Sequence, residues 1–367
     1  MEKKDPTEVE IFDTLIARGL NVCAVRMPKT PQAAMAASPV LVENQPLTGV
    51  VDGVMGFVAS PWDSTERRMI ATNHWWRWTP RARRVKPRRQ EPDPKMPADY
   101  EKAVDTLVRR LGERGGKTVL SVRREGHCDV PPLAIFERLC CLYPDAFVYC
   151  WHFTGTNDVW VGATPEVLLS TYGGNVSTMA LAGTRPAGTL GAWDEKNIEE
   201  QGMVRNFILE VFRSAGLDPH TDETLTLPAG PVEHICTPIF ASLPTPPAAA
   251  TASPESAEAQ AEAPRFSFTA LAERLSPTPA VCGLPREAAL ADIRELEPHP
   301  RGYYAGYCGI VKSDVTLLFV TLRCAKIDLL SHRCWLYAGG GITAHSDPRS
   351  EWNEINAKMQ TLASTLT

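Results

Sequence analysis

The order of apolar and polar positions divides the chain into helical and extended stretches. Residues 8–19 repeat their apolar side chains in helical rhythm and predict a short amphipathic helix, and residues 98–114 predict another. The clearest helix covers 194–216. There Val204, Phe207, Ile208, Val211 and Phe212 recur at i, i+3, i+4, i+7 and i+8, the spacing of one buried stripe. FERLCCLYP at 136–144 reads as a helix running into a turn. A last long helix starts near Asp347, with Asp347 as its N-cap and Pro348 as its first residue. Between the helices lie short runs that read as strands: 50–59, KTVLSVR at 117–123, then AFVYCWHF, VWVGATPEVLLS and NVSTMALAG with turns between them. Strands in runs with helices between them predict an α+β fold built on large antiparallel sheets.

One stretch breaks this rhythm. LPTPPAAATASPESAEAQAEAP at 243–264 has no large apolar residue after Leu243, so it has nothing to bury against its ordering entropy. Strand and helix signals resume on both sides. It is therefore expected to be a disordered loop insertion within a single domain spanning 1–367.

Composition narrows the picture little. The 367 residues are 44% hydrophobic and 22% charged, with a formal net charge of -5, as in ordinary globular chains. No overall field favours nucleic acid or a membrane. RARRVKPRR at 81–89 is basic enough to contact phosphates, but no folded reading motif accompanies it, so it reads as a solvated loop and no nucleic-acid partner is expected. The ten cysteines form no C-x-x-C pair and read as reduced, buried thiols. The N-terminus lacks a signal-like apolar core, and no apolar run nears the roughly 20 residues of a spanning helix. A cytoplasmic protein with no membrane partner is the expectation.

Four carboxylates and a lysine carry possible chemistry. Glu200 lies four residues before Val204, on the buried side of its helix, where a carboxylate must be paired, protonated or metal-bound. A first-turn glutamate serving only the helix dipole would look the same. Glu351, Glu354 and Lys358 share one face of the last helix, which suits either a solvated Glu–Lys pair or a hard cation held by oxygens. Glu166, after a proline at the end of an apolar run, is either a turn residue or a buried acid with a raised pKa. Lys117 opens a buried strand and is either a strand-entry lysine or a desolvated base. The preceding GERGG is no phosphate loop, since Leu111 stands where the first glycine is required. Glycine-rich turns at 181–189, 281–285 and 337–343 allow close backbone approach to an anion.

Taken in order from about residue 117, the blocks KTVLSVR, ATPEVLLS, MALAGTRPAGT, EKNIEEQGMV, VEHICTPI, SPTPAVCGLPREAAL, PRGYYAGYCGIV, TLRCA and YAGGGITAHSDPRSEWNEINAKM resemble the chorismate-utilising enzymes. Residues 1–100 match that family only weakly and form a divergent N-terminal part. The resemblance implies antiparallel sheets packed as a sandwich with helices outside, chorismate as substrate and Mg2+ as cofactor. It implies Lys117 as general base, Glu166 as general acid and His234 near the departing hydroxyl. Glu200 and Glu354, with Glu351 beside them, would hold the metal. Arg323, Lys358 and the amides of Gly340 and Gly341 would hold substrate carboxylate, and Gly183, Thr184 and Thr278 would line the pocket. Lys117 and Ala182 form the combination expected of the members that add water to give isochorismate, most like those of menaquinone biosynthesis, with siderophore supply and salicylate formation as alternatives. Aminating relatives usually carry glutamine or lysine at one of these positions, so no amidotransferase partner is expected. Gln201 and Cys282 depart from the histidine and glycine common in relatives.

Overall fold

The computed structural model describes residues 5–44, 47, 55–81, 95–243, 266–312 and 315–366. The expected strand at 50–59 is thus described only from residue 55. The basic loop at 81–89 beyond Arg81, and the insertion at 243–264 beyond Leu243, lie outside the described residues.

Two large antiparallel sheets carry the fold. The first has nine strands in the order Gly283–Leu284 (β15), Lys117–His127 (β7), Arg333–Ile342 (β19), Cys324–Asp328 (β18), Asp158–Thr164 (β9), Phe147–His152 (β8), Asn21–Arg26 (β1), Ala33–Ser38 (β2) and Trp76–Trp78 (β6). The second has ten, in the order His220–Thr221 (β12), Val232–Ser242 (β14), Asn175–Pro186 (β11), Val167–Tyr172 (β10), Thr316–Val320 (β17), Tyr307–Val311 (β16), Gly56–Ser60 (β4), Arg68–Ala71 (β5) and Leu41–Glu43 (β3), while Leu225–Ala229 (β13) pairs with β14. Strands from the divergent N-terminal part extend both sheets.

Period-two alternation sorts the side chains of the first sheet between two cores. Cys23 and Val25 of β1, with Phe147, Tyr149 and Trp151 of β8, join the cluster shared with the second sheet, where Phe147 stacks on Phe319 at 4.1 Å. Val22, Ala24, Val148 and Cys150 face the other way, onto the helices Glu8–Ala17 (α1) and Pro132–Leu142 (α3). Helix α3 starts earlier than the expected 136, because Pro131 and Pro132 sit at the N-cap and first turn, where proline costs no hydrogen bond. Ala98–Arg114 (α2) and Pro348–Ala363 (α7) pack together over β7 and β19. The stripe Val204, Ile208, Val211 and Phe212 of Glu195–Ser214 (α4) joins the shared core, next to Phe268–Leu275 (α5). The remaining helix is Arg286–Leu296 (α6).

All ten cysteines are free, and all but Cys141 are buried. No described helix is long and apolar enough to cross a membrane.

Candidate active site

A narrow cleft of about 60 Å³ opens where the two sheets meet α4 and α7. Its acid wall comes from the turn joining β9 to β10. Pro165 ends β9, and the Glu166 carbonyl accepts from Val320 N at 3.0 Å, which fixes the backbone at that point. The Glu166 side chain lines the cleft and is almost fully buried. Burial pushes its carboxyl up to about 8, although Lys117, Arg323 and Lys358 pull the other way. At neutral pH it is a proton donor. Thr278 lies beside it, its buried hydroxyl close enough to the carboxyl to pull that pKa down as well.

The anion-binding wall is built on Arg323, in the turn between β17 and β18. Its φ of 46° is unusual for a residue other than glycine, and its neighbours hold it there. Ala163 N donates to the Arg323 carbonyl at 3.1 Å, and Tyr149 Oη donates to the Leu322 carbonyl at 2.8 Å. The guanidinium is buried and forms no ion pair among the described residues, and burial lowers its pKa. It donates to His234 Nε2 at 2.8 Å and weakly to the Ala229 carbonyl at 3.4 Å. His234 is itself buried on β14, opposite Thr184 of β11. The β11–β14 register shifts between Ala182 and Thr184, and Gly183 takes up this bulge with a φ of 72° that side-chain-bearing residues rarely adopt. Thr184 N donates to Asn197 Oδ1 at 2.8 Å, and Asn197 N donates to the N-cap carboxylate of Asp194 at 2.8 Å. The bulge therefore fixes the first turn of α4, and Glu200 follows three residues after Asn197.

Glu200 and Lys358 line the remaining wall, backed by two further carboxylates and two further lysines. Lys117 Nζ, fully buried at the start of β7, donates to Glu200 Oε1 at 2.6 Å. Burial alone would raise the Glu200 pKa, but the charge and hydrogen bond of Lys117 outweigh it and hold the carboxyl below its usual range. Lys196 Nζ, one helical turn before Glu200, donates to Glu351 Oε1 at 2.6 Å, and Ser346 Oγ donates to the same oxygen at 2.7 Å. Lys358 Nζ donates to Glu354 Oε1 at 2.5 Å and to the Gly339 carbonyl at 2.9 Å. Gly341 lets the first pair approach β19, since a Cβ there would meet Glu200 Oε1 at 2.5 Å and Lys117 Nζ at 3.2 Å. A Cβ on Gly340 would instead face Glu351 Oε2 at 3.0 Å.

These carboxylates suit a hard divalent cation chemically, because all are oxygen donors and Glu351 Oε2 is buried without a hydrogen-bond partner among the described residues. Burial and the neighbouring Glu354 raise the Glu351 pKa, and a cation would relieve that cost. Each carboxylate, however, holds a lysine, and among the described residues no three His, Cys, Asp or Glu side chains converge as a metal cage. A metal would have to displace at least one ammonium.

Of the residues singled out from sequence, Glu166, Gly183, Thr184, Glu200, His234, Arg323, Gly341 and Lys358 line the cleft. Lys117 stands behind Glu200, and Glu354 is reached through Lys358. Glu351 and Gly340 sit behind the β19 wall, with Glu351 directed at Lys196 and Ser346. Sequence reasoning passed over Lys196, whose i, i+4 spacing to Glu200 was the available signal. It also passed over Tyr304 and Tyr337, stacked at 5.4 Å as an aromatic wall of the cleft, which no local pattern marks.

Residues 62–251 and 256–367 match the family described as chorismate binding enzyme. The chain is 31% identical over 281 residues to the isochorismate synthase MenF of Bacillus subtilis, across 73% of this chain and 55% of that protein. It is 34% identical over 210 residues to the vibriobactin-specific isochorismate synthase of Vibrio cholerae, across 55% of this chain and 49% of that protein. The chain thus spans about half the length of these curated relatives. The solved structure of the menaquinone-specific isochorismate synthase MenF from Escherichia coli shares the fold, with a TM-score of 0.75 at 20% identity over 95% of this chain and 89% of that one. With the family match running through both sheets and every wall of the cleft, the chain belongs to the chorismate binding enzymes.

Proposed function

We propose that the chain isomerises chorismate to isochorismate with the help of Mg2+, and that the product enters menaquinone synthesis. One observation carries this reading: a buried carboxyl, Glu166, is protonated at neutral pH in the same cleft as an unpaired guanidinium, Arg323. A dianionic substrate finds its charge partner in Arg323, assisted by Lys358. Water attacks C2 and passes its proton to Lys117, which must first leave its ion pair with Glu200 and release its own ammonium proton. The ring double bonds shift, the C4–O bond breaks, and Glu166 gives its proton to the leaving hydroxide. One water enters and one leaves, so the reaction balances without an oxidant or reductant. An acid and a base placed in this way each contribute about 10²–10⁴ in rate. Glu200 and Glu354, with Glu351 behind them, are the residues that would hold Mg2+, which when bound would neutralise and orient a substrate carboxylate.

The test is to incubate the protein with chorismate and Mg2+ and to resolve the products by chromatography. Isochorismate alone is expected, lost with Lys117→Ala, with Glu166→Gln and with a chelator. Salicylate with pyruvate would keep the first step and move the chain to another branch of the family. Product formed only with ammonium would replace the hydration reading by an aminating one. Unchanged chorismate with folded, Mg2+-supplied protein would overturn the catalytic claim.

A further inference from the structure

We infer that His234 is a positioning residue and not a proton donor: held by the β11 bulge with its proton on Nδ1, it turns an Nε2 lone pair to the Arg323 guanidinium and aims that group at a ligand carboxylate. The inference rests on the proposed function for the identity of the ligand but not for the contact itself. Hydrogen-bond polarity carries it. A guanidinium only donates, so His234 Nε2, at 2.8 Å from Arg323 Nη2, must accept and carry no proton. A carbonyl only accepts, so Nδ1, at 2.9 Å from the Gly183 oxygen, must donate. The Thr184 hydroxyl at 3.2 Å from Nδ1 is compatible with this. The other neutral tautomer would set N–H against N–H on one side and lone pair against lone pair on the other. A doubly protonated ring would oppose the Arg323 donor and place two cations in contact.

The surroundings agree. Burial, then the charges of Arg323 and Lys358, hold the His234 pKa well below its usual value. Arg323 has no carboxylate to orient it among the described residues, so the imidazole is its strongest fixed acceptor. Gly183 thereby acts at a distance: its bulge sets the imidazole, and the imidazole sets the guanidinium.

Two measurements test this on the full chain. The first is a two-bond proton–nitrogen NMR correlation on protein labelled with 15N histidine, the His234 signals being assigned by their loss in His234→Gln. A proton on Nδ1 and none on Nε2 through the neutral range is expected. An Nε2–H tautomer, or a ring that gains a second proton there, overturns the inference whether or not the protein turns over chorismate. The second is steady-state kinetics. His234→Ala should raise KM for chorismate about tenfold to a hundredfold, the usual loss for a hydrogen bond to a charged group, with kcat changed only a few-fold. His234→Gln, which returns an acceptor oxygen near the Nε2 position but cannot relay protons, should recover most of that loss. Equal collapse of kcat in both variants, or loss of the basic or acidic limb of the pH profile, overturns it. If the wild-type protein leaves chorismate unchanged, the proposed function fails and the NMR result alone decides the His234–Arg323 contact.

Discussion

At the scale of single residues, the deciding quantity is the protonation of Glu166. Its carboxyl ordinarily titrates at 4.5 and is pushed by burial to about 8. As the acid it must carry its proton, so kcat/KM should fall as pH rises through about 8, and a pH–rate profile checks this. Glu166→Gln keeps the shape without a transferable proton and should lose about 10²–10⁴ in kcat. The same shift has a stability consequence of definite sign. Between about 4.5 and 8 the folded chain retains a proton at this position that the unfolded chain has released. Its contribution is therefore whole below 4.5 and declines as pH rises through that window, by up to about 1.4 kcal/mol per pH unit. Denaturation of wild type and Glu166→Gln in parallel should show the variant gaining relative stability toward higher pH. A constant difference would mean that Glu166 ionises normally. The position of Glu166 after a proline was legible in the sequence, but its burial depends on strands that arrive much later in the chain.

At the scale of elements, the cleft depends on a clamp that contacts no cleft volume. Arg301 donates to the Val281 carbonyl at 2.7 Å, to the Val119 carbonyl at 2.8 Å and to Glu297 at 2.5 Å. Glu297, just past α6, also accepts from Ser121 N at 2.6 Å. Val119 and Val281 both line the cleft, and Lys117 lies two residues before Val119 on β7. The ion pair is almost wholly buried, with side-chain exposures of 1% and 3%. Arg301→Met leaves a buried carboxylate without its partner and should cost about 3–5 kcal/mol, measurable by urea unfolding. Loss of less than about 1 kcal/mol would show that the clamp is solvated in solution. Periodicity revealed the helices whose apolar stripes are long and local, α4 being bounded at Glu195–Ser214 against an expected 194–216, but it gave no expectation for the short α5 and α6. It understated β7, which continues to His127: its outer half is polar and pairs with β19 through the backbone ladder and through Glu125, which accepts from Arg333 at 2.6 Å and Trp335 at 3.1 Å. No local pattern could show that Arg301 reaches β7 and the turn before β15 at once.

At the scale of the whole molecule, the cleft wall is an exchange of cations. Glu200 comes from α4, Glu351 and Glu354 from α7, Lys117 from β7, and the three lysines neutralise the three acids in pairs. The spacing of Glu351, Glu354 and Lys358 was visible along one helix, whereas the convergence of α4, α7 and β7 needed the assembled sandwich. A divalent ion entering here competes with ammonium groups that belong to the chain. Binding to the folded state alone should raise its stability by about 2.7 kcal/mol at a hundredfold excess over Kd, so Mg2+ should raise Tm. Glu200→Gln and Glu354→Gln should abolish that rise. Lys196→Met should do the opposite, since it frees Glu351 of its internal cation. If the lysine competes, this variant binds Mn2+ more tightly than wild type in a calorimetric titration. If its affinity is unchanged or weaker, Lys196 supports the site instead of competing for it, and the cation-exchange account of this wall fails even if the metal binds.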